Sequence, residues 1–265
     1  MIPKVIHYCN FGNMQLTPLL QECRESWRRF CRDYELVEWN EKTFTPYTTP
    51  FVERALNSKR FAFASDYVRA FVLCEFGGVY LDADVELRAS LDPFLAHQAF
   101  TGFEVIGYPF TAVWGSEKGH SLARRVVEVY RGIEYTDEPN TAIVSRIITE
   151  HYGIDASRDT FQIGKEGLAI YPSTTFCVDT DISVAVHHFA GSWLDRRLAG
   201  KYKRTAAAAY HAAELARLNA LTEPVVFKHI QESVGLPSYV GWLCRMAVRD
   251  YARRAVRRIR KRKQR

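Results

Sequence analysis

Nowhere in the 265 residues do apolar side chains run for the roughly 18 consecutive positions that a membrane-spanning helix needs. The opening Met1-Ile-Pro-Lys-Val-Ile-His7 has none of the charged, apolar and small-residue zones of a secretion signal, so a cytoplasmic chain is expected. The six cysteines, Cys9, Cys23, Cys31, Cys74, Cys177 and Cys244, include no C-x-x-C pair. Redox and zinc centres of the usual spacing are thereby excluded, and the thiols are expected to be reduced, mostly buried apolar groups. There is no internal repeat, and the only low-complexity run is Ala206–Ala209. Apolar material is plentiful: 47% of residues are hydrophobic and 13% aromatic against 25% charged. Such a chain can bury a sizeable core, which rules out disorder, collagen and a disulfide-stapled miniature domain.

The net charge of +6 conceals an asymmetry. From Arg245 onward there are eleven Lys and Arg against the single acid Asp250, while residues 1–244 hold 25 bases and 29 acids. A mildly acidic body therefore carries a strongly basic tail, and the overall basicity is a property of that tail.

Strand and helix signals alternate over the first 190 residues. Val5–Cys9 and Tyr34–Trp39 read as strands, and Thr17-Pro18 opens a helix with Leu19, Leu20, Cys23, Trp27 and Phe30 at helical spacing. Asn40–Pro50, rich in Thr and Pro, reads as a loop. A helix over Phe61–Phe76 ends at Gly77-Gly78, followed by the short strand Val79–Leu81 and another run, Val85–Leu87. Further strands are expected at Ala99–Phe103, Phe110–Gly115, Leu168–Tyr171 and Val184–His188, with helices at Ser121–Arg131 and Thr141–His151. This alternation predicts an α/β domain with a mostly parallel sheet. Residues 1–204 form the expected catalytic domain, and 205–265 a helical C-terminal extension.

The chemistry concentrates in Ser65-Asp66-x-x-Arg69 and Gly77-Gly78-x-Tyr80-x-Asp82-x-Asp84. Asp82 and Asp84 flank one residue at the end of an apolar strand, which on an extended backbone aims both carboxylates to one side. Two such charges in a half-buried site call for a cation or a proton between them. A divalent metal with oxygen ligands answers that need, and Mg2+ or Mn2+ suits carboxylate plus phosphate best. Asp66 and Arg69 lie three apart on a helix and so share a face.

These motifs are similar to the signature of glycosyltransferase family 32, retaining sugar transferases of the GT-A fold that include capsular polysaccharide enzymes and yeast-type mannosyltransferases. Ile2–Tyr8 resembles the family's opening strand, and Val184–Trp193, containing His187, His188, Ser192 and Trp193, resembles its closing segment. The resemblance implies that Asp84 binds the metal directly, with His187 or His188, while Asp82 faces donor hydroxyls and the metal's water shell. It implies that Asp66 and Arg69 hold sugar hydroxyls and diphosphate. His7, Tyr8, Asn10, Tyr80, Ser192 and Trp193 would surround a UDP- or GDP-sugar. Asn10 stands where the family usually has Trp, and an amide cannot stack on a base as an indole does. The implied reaction moves a sugar to a glycan or lipid-linked acceptor.

Two other readings are available. Asp82-Ala-Asp84 also resembles the Asp-x-Asp of haloacid-dehalogenase-type phosphatases, although that motif normally sits on the first strand and is followed by Thr, whereas Val85-Glu86 follow here. The basic tail alone suggests nucleic-acid binding, but it lacks an aromatic stacking platform, and no nucleic acid is expected as a partner. Residues 241–265 mix apolar and basic positions at helical spacing. That pattern suits an anionic membrane surface, and the expected location is peripheral, on the inner face of the membrane.

Overall fold

Thr17 starts the first helix as its residue type predicts: its hydroxyl accepts from Leu20 N at 3.4 Å, and Pro18 fills the first turn. The computed structural model describes residues 1–12, 17–133, 136 and 138–190. In chain order the elements are β1 (Val5–Cys9), α1 (Pro18–Phe30), β2 (Glu35–Trp39), α2 (Glu41–Phe44), α3 (Pro50–Asn57), α4 (Phe61–Phe76), β3 (Gly78–Leu81), β4 (Val85–Leu87), β5 (Ala99–Gly102), β6 (Val113–Ser116), α5 (Ser121–Gly132), α6 (Asn140–Tyr152), β7 (Gln162–Ile163), β8 (Leu168–Tyr171), α7 (Ser173–Phe176) and β9 (Ala185–His187).

Seven strands form one sheet in the order β2-β1-β3-β6-β5-β8-β7, and β4 pairs with β9 in a second, two-stranded sheet. The α/β class is as expected. The sheet is mixed, however, with parallel pairs β1–β2, β1–β3 and β5–β8 and antiparallel pairs β3–β6, β5–β6 and β7–β8. One core lies among α3, α4, α5, α6 and the sheet, centred on Tyr67, Phe103, Trp114 and Tyr130. A second, around Trp27, Leu81, Phe100 and Phe176, lies on the other face.

Two expectations in this region are corrected. Asn40–Pro50 is not a plain loop: Asn40 caps α2 by accepting from Lys42 N and Thr43 N, and Thr49-Pro50 opens α3. Asp82-Ala-Asp84 is not extended: Val85 N donates to Asp82 O at 3.0 Å, closing a turn that carries the chain from β3 into β4 and so out of the main sheet. Two contacts from α1 hold β4 in place. Trp27 Nε1 donates to Val85 O at 2.8 Å, and Leu87 N donates to Ser26 Oγ at 2.9 Å.

The five cysteines among the described residues are unpaired, and all but half-buried Cys74 are buried. No described helix is long and apolar enough to cross a membrane. Cys244, the boundary expected after residue 204, the helical extension and the basic tail lie outside the described residues.

Candidate active site

The site begins with two glycines. Gly77 and Gly78 take φ of +69° and +108°, a region L side chains avoid. A Cβ on Gly78 would meet Val5 O at 2.8 Å. This tight turn delivers β3 beside β1, so Asp82 emerges at the carboxyl end of a strand parallel to its neighbour, where open α/β sheets bind ligands.

His7 braces the turn. Its Nδ1 accepts from Trp39 Nε1 at 3.1 Å, which leaves Nε2–H to donate to Gly77 O at 2.8 Å. Burial lowers the imidazole pKa to about 4, so the ring is neutral. With 2% exposure, His7 offers nothing to a nucleotide, and the expected ligand contact is replaced by a structural one.

Arg69 organises the acidic side. One guanidinium nitrogen lies 3.1 Å from Asp66 Oδ1 and 3.0 Å from Asp82 Oδ1, and the other donates to Asp82 Oδ2 at 3.4 Å. The guanidinium also sits 4.8 Å from the Tyr80 ring centroid. Tyr80 is only 1% exposed, so its face is covered by Arg69 and is closed to a nucleotide, which corrects its expected role. Burial, and the Asp82 charge with it, pushes Asp66 up to about 7 against the pull of Arg69. Arg69 itself is held more firmly protonated: desolvation opposes its charge, but Asp82, Tyr80 and Asp66 outweigh it. With its terminal nitrogens engaged by carboxylates, Arg69 orients Asp82.

Asp84 belongs to a different cluster. Its Oδ2 accepts from Ala190 N at 2.7 Å, and its Oδ1 faces His187 Nε2 at 3.4 Å. Burial would raise the Asp84 pKa, yet His187 and the backbone N–H groups bring it down to about 2. The imidazole, penalised by burial, is raised in turn by Asp84. Asp84 and His187 therefore face one another, with His187 anchored on β9 by its N–H to Cys177 O at 2.9 Å. His188 points elsewhere: its Nε2 is 2.9 Å from Glu86 Oε2, while His187 is the imidazole that faces Asp84. Ser192 and Trp193 lie outside the described residues.

Among the described residues no group of three or more His, Cys, Asp and Glu side chains is placed to hold a metal alone. The donor set nevertheless suits Mg2+ or Mn2+, which bind through one or two protein ligands and complete their shells with substrate phosphates and water. Asp84, ionised and half-buried, is the natural protein oxygen, with His187 beside it.

Tyr8 and Asn10 gather at a residue without a motif, Glu38 near the end of β2. Glu38 accepts from Tyr8 Oη at 3.1 Å, Asn10 Nδ2 at 3.3 Å, Asn40 Nδ2 at 3.2 Å and Arg24 at 2.8 Å. Tyr8 is buried and spends its hydroxyl on this cluster, while Asn10 stays half-buried at the carboxyl end of β1. Glu104, two residues after β5, carries no motif either, and it lies within the electrostatic reach of His187, Asp82 and Arg69. Its sequence signal is a carboxylate shortly after an apolar strand.

Residues 18–101 match the family described as a glycosyltransferase sugar-binding region containing a DXD motif. Among curated proteins it is 30% identical over 141 residues to inositol phosphoceramide mannosyltransferase 3 of Schizosaccharomyces pombe, covering 48% of this chain and 36% of that protein. It is 31% identical over 104 residues to mannosyl phosphorylinositol ceramide synthase SUR1 of Saccharomyces cerevisiae, covering 38% and 27%. The chain thus spans about a third of the length of these relatives. Solved structures with partial likeness include the PaToxG glycosyltransferase (TM-score 0.45, 13% identity, 56% of this chain and 68% of that one) and the galactosyltransferase LgtC (0.37, 13%, 77% and 96%).

Proposed function

We propose that this chain is a retaining glycosyltransferase of the GT-A type that moves a hexose from a UDP- or GDP-sugar to a glycan or lipid-linked acceptor with Mn2+ or Mg2+. One observation carries the reading. At the end of β3, Arg69 holds Asp82 and Asp66 together while the ionised Asp84 stands beside His187. The names of the two fungal relatives favour mannose as the hexose and a phosphate-bearing lipid as the acceptor.

Asp84, with His187 in its neutral form beside it, would hold the cation, which would supply charge neutralisation to the departing diphosphate. Asp66 and Asp82, fixed by Arg69, are acceptors for donor hydroxyls, so Arg69 acts as a positioning residue and not as the diphosphate contact first expected. The acceptor oxygen forms a bond to the anomeric carbon on the face that the diphosphate leaves. The electron pair of the broken C–O bond goes to the phosphate oxygen, which also takes the acceptor's proton. The phosphatase alternative is disfavoured because Asp82 follows β3, whereas that motif sits on the first strand of its fold.

The tail at 241–265 would bring the enzyme to an anionic membrane on its cytoplasmic face, each basic residue adding about 1 kcal/mol. Vesicle sedimentation tests this: full-length chain pellets with anionic vesicles at low salt, a chain ending at Asp250 does not, and equal pelleting contradicts it. The catalytic reading is tested by screening nucleotide-sugars for metal-dependent release of nucleoside diphosphate.

A further inference from the structure

Glu104 is a carboxylate the reaction described above does not use. It follows β5 by two residues, and its backbone is held in a tight hairpin turn. Glu104 N donates to Tyr108 O at 3.0 Å, Tyr108 N donates to Val105 O at 2.9 Å, and Gly107 takes φ of +92°. The Cys177 thiol donates to Glu104 O at 3.6 Å. Since Cys177 O also receives the His187 N–H, the loop is tied to the strand that presents His187 to Asp84.

The side chain is half-buried, yet among the described residues it forms no ion pair within 4 Å, and its one hydrogen bond is long: Thr141 Oγ1 to Oε2 at 3.4 Å. The cations that act on it electrostatically, Arg69 and His187, face Asp66, Asp82 and Asp84. Oε1 accepts nothing from a described residue. A half-buried carboxylate kept short of donors costs free energy that a built structure normally recovers through a partner. Burial accordingly raises its pKa despite the pull of His187 and Thr141. Such a carboxylate repels the diphosphate and any phosphate of the acceptor. Oε1 is not shut away from solvent, so it is open to a hydrogen bond from a group that enters the cleft with the substrates, and a sugar hydroxyl is such a group.

We propose that Glu104 is a substrate-contacting residue that accepts a hydrogen bond from a sugar hydroxyl at the reacting centre, supplied by the donor hexose or by the acceptor glycan. This inference rests on the glycosyltransferase reading and is tested so that the two can fail separately. Calorimetry on wild type, Glu104→Gln and Glu104→Ala, in Mn2+, would compare nucleoside diphosphate with the matching nucleotide-sugar. Nucleoside diphosphate release would be followed in water and with a panel of methyl glycosides as acceptors. Nucleoside diphosphate should bind all three proteins equally, which also reports correct folding.

If the hydroxyl belongs to the donor, Glu104→Ala binds the nucleotide-sugar at least about tenfold more weakly, as a hydrogen bond to a charged group requires. If it belongs to the acceptor, donor binding and release in water are retained, while stimulation by methyl glycosides falls about tenfold. Either result supports the proposal. Retention of both within twofold in the Ala variant overturns it, as does loss of nucleoside diphosphate binding in both variants, which would make Glu104 structural. Failure of the wild type to bind any nucleoside diphosphate overturns the glycosyltransferase reading itself.

Discussion

Replacing Asp66 by Asn separates the stability of the acidic cluster from its function. Asp66 is 7% exposed and shares Arg69 with Asp82, so one guanidinium faces two carboxylates. In the unfolded chain the carboxyl titrates near 3.8, and in the folded protein burial carries it to about 7. The sign follows from proton counts: between these values the native state binds the proton that the unfolded state has lost. Stability therefore falls as pH rises from about 4 to about 7 and is level above that. At about 1.36 kcal/mol per pH unit, the interval from pH 5 to about 7 is worth about 3 kcal/mol. Asn keeps an oxygen for Arg69 but cannot ionise. Urea unfolding at pH 5 and pH 8 should show Asp66→Asn gaining stability over wild type, with the gain about 3 kcal/mol larger at pH 8. Other titrating groups are common to both proteins and cancel. A gain that is the same at both pH values, or a loss at pH 8, would refute the assignment of a raised pKa to this buried carboxyl. The same variant should turn over donor more slowly, since an amide is a weaker acceptor for donor hydroxyls than a carboxylate.

His7 works in the opposite direction. Its folded pKa of about 4 lies below the usual 6.5, so its contribution is complete above pH 6.5 and is lost as pH falls towards 4. Between pH 7 and 5 wild type should lose about 2 kcal/mol that His7→Gln does not lose, and parallel pH profiles would contradict this. Arg69→Ala leaves Asp66 and Asp82 without their shared cation. It should cost about 3–5 kcal/mol by thermal or urea unfolding, and a loss under 1 kcal/mol would mean that the cluster is more hydrated than its burial indicates. Asn10→Trp places an aromatic face at the end of β1 and should tighten nucleotide binding by about 1 kcal/mol. Calorimetry showing no gain would place the base away from Asn10.

Much of the site was legible because its parts are local. Asp66 and Arg69 share a helical face, and a glycine pair at positive φ leads straight into Asp82 and Asp84. What could not be read is what depends on distant partners. The turn at Asp82–Val85 exists because β4 leaves the main sheet to pair with β9, about 100 residues away in sequence, and α1 pins it there. His7 and Tyr80 look like ligand residues in a motif, yet register and helix packing bury both, so their roles are to brace Gly77 and to underlie Arg69. Glu38 and Glu104 carry no motif, and only the fold brings them to strand ends beside the other site residues. The helix α3 is legible in Thr49-Pro50, a cap and first-turn signal, with Phe51, Val52 and Ala55 buried on one face behind it.

The central claim is that this site cleaves a nucleotide-sugar with a divalent cation held at Asp84. The direct measurement is release of nucleoside diphosphate from a panel of UDP- and GDP-sugars, in Mn2+, in Mg2+ and in chelator, by wild type and by Asp84→Ala. Wild type should release nucleoside diphosphate from at least one donor in Mn2+ or Mg2+ and lose that activity in chelator. Asp84→Ala should fall by several orders of magnitude, because it removes the carboxylate that holds the Lewis acid. Equal release with and without metal, or an Asp84→Ala protein as active as wild type, would contradict the account.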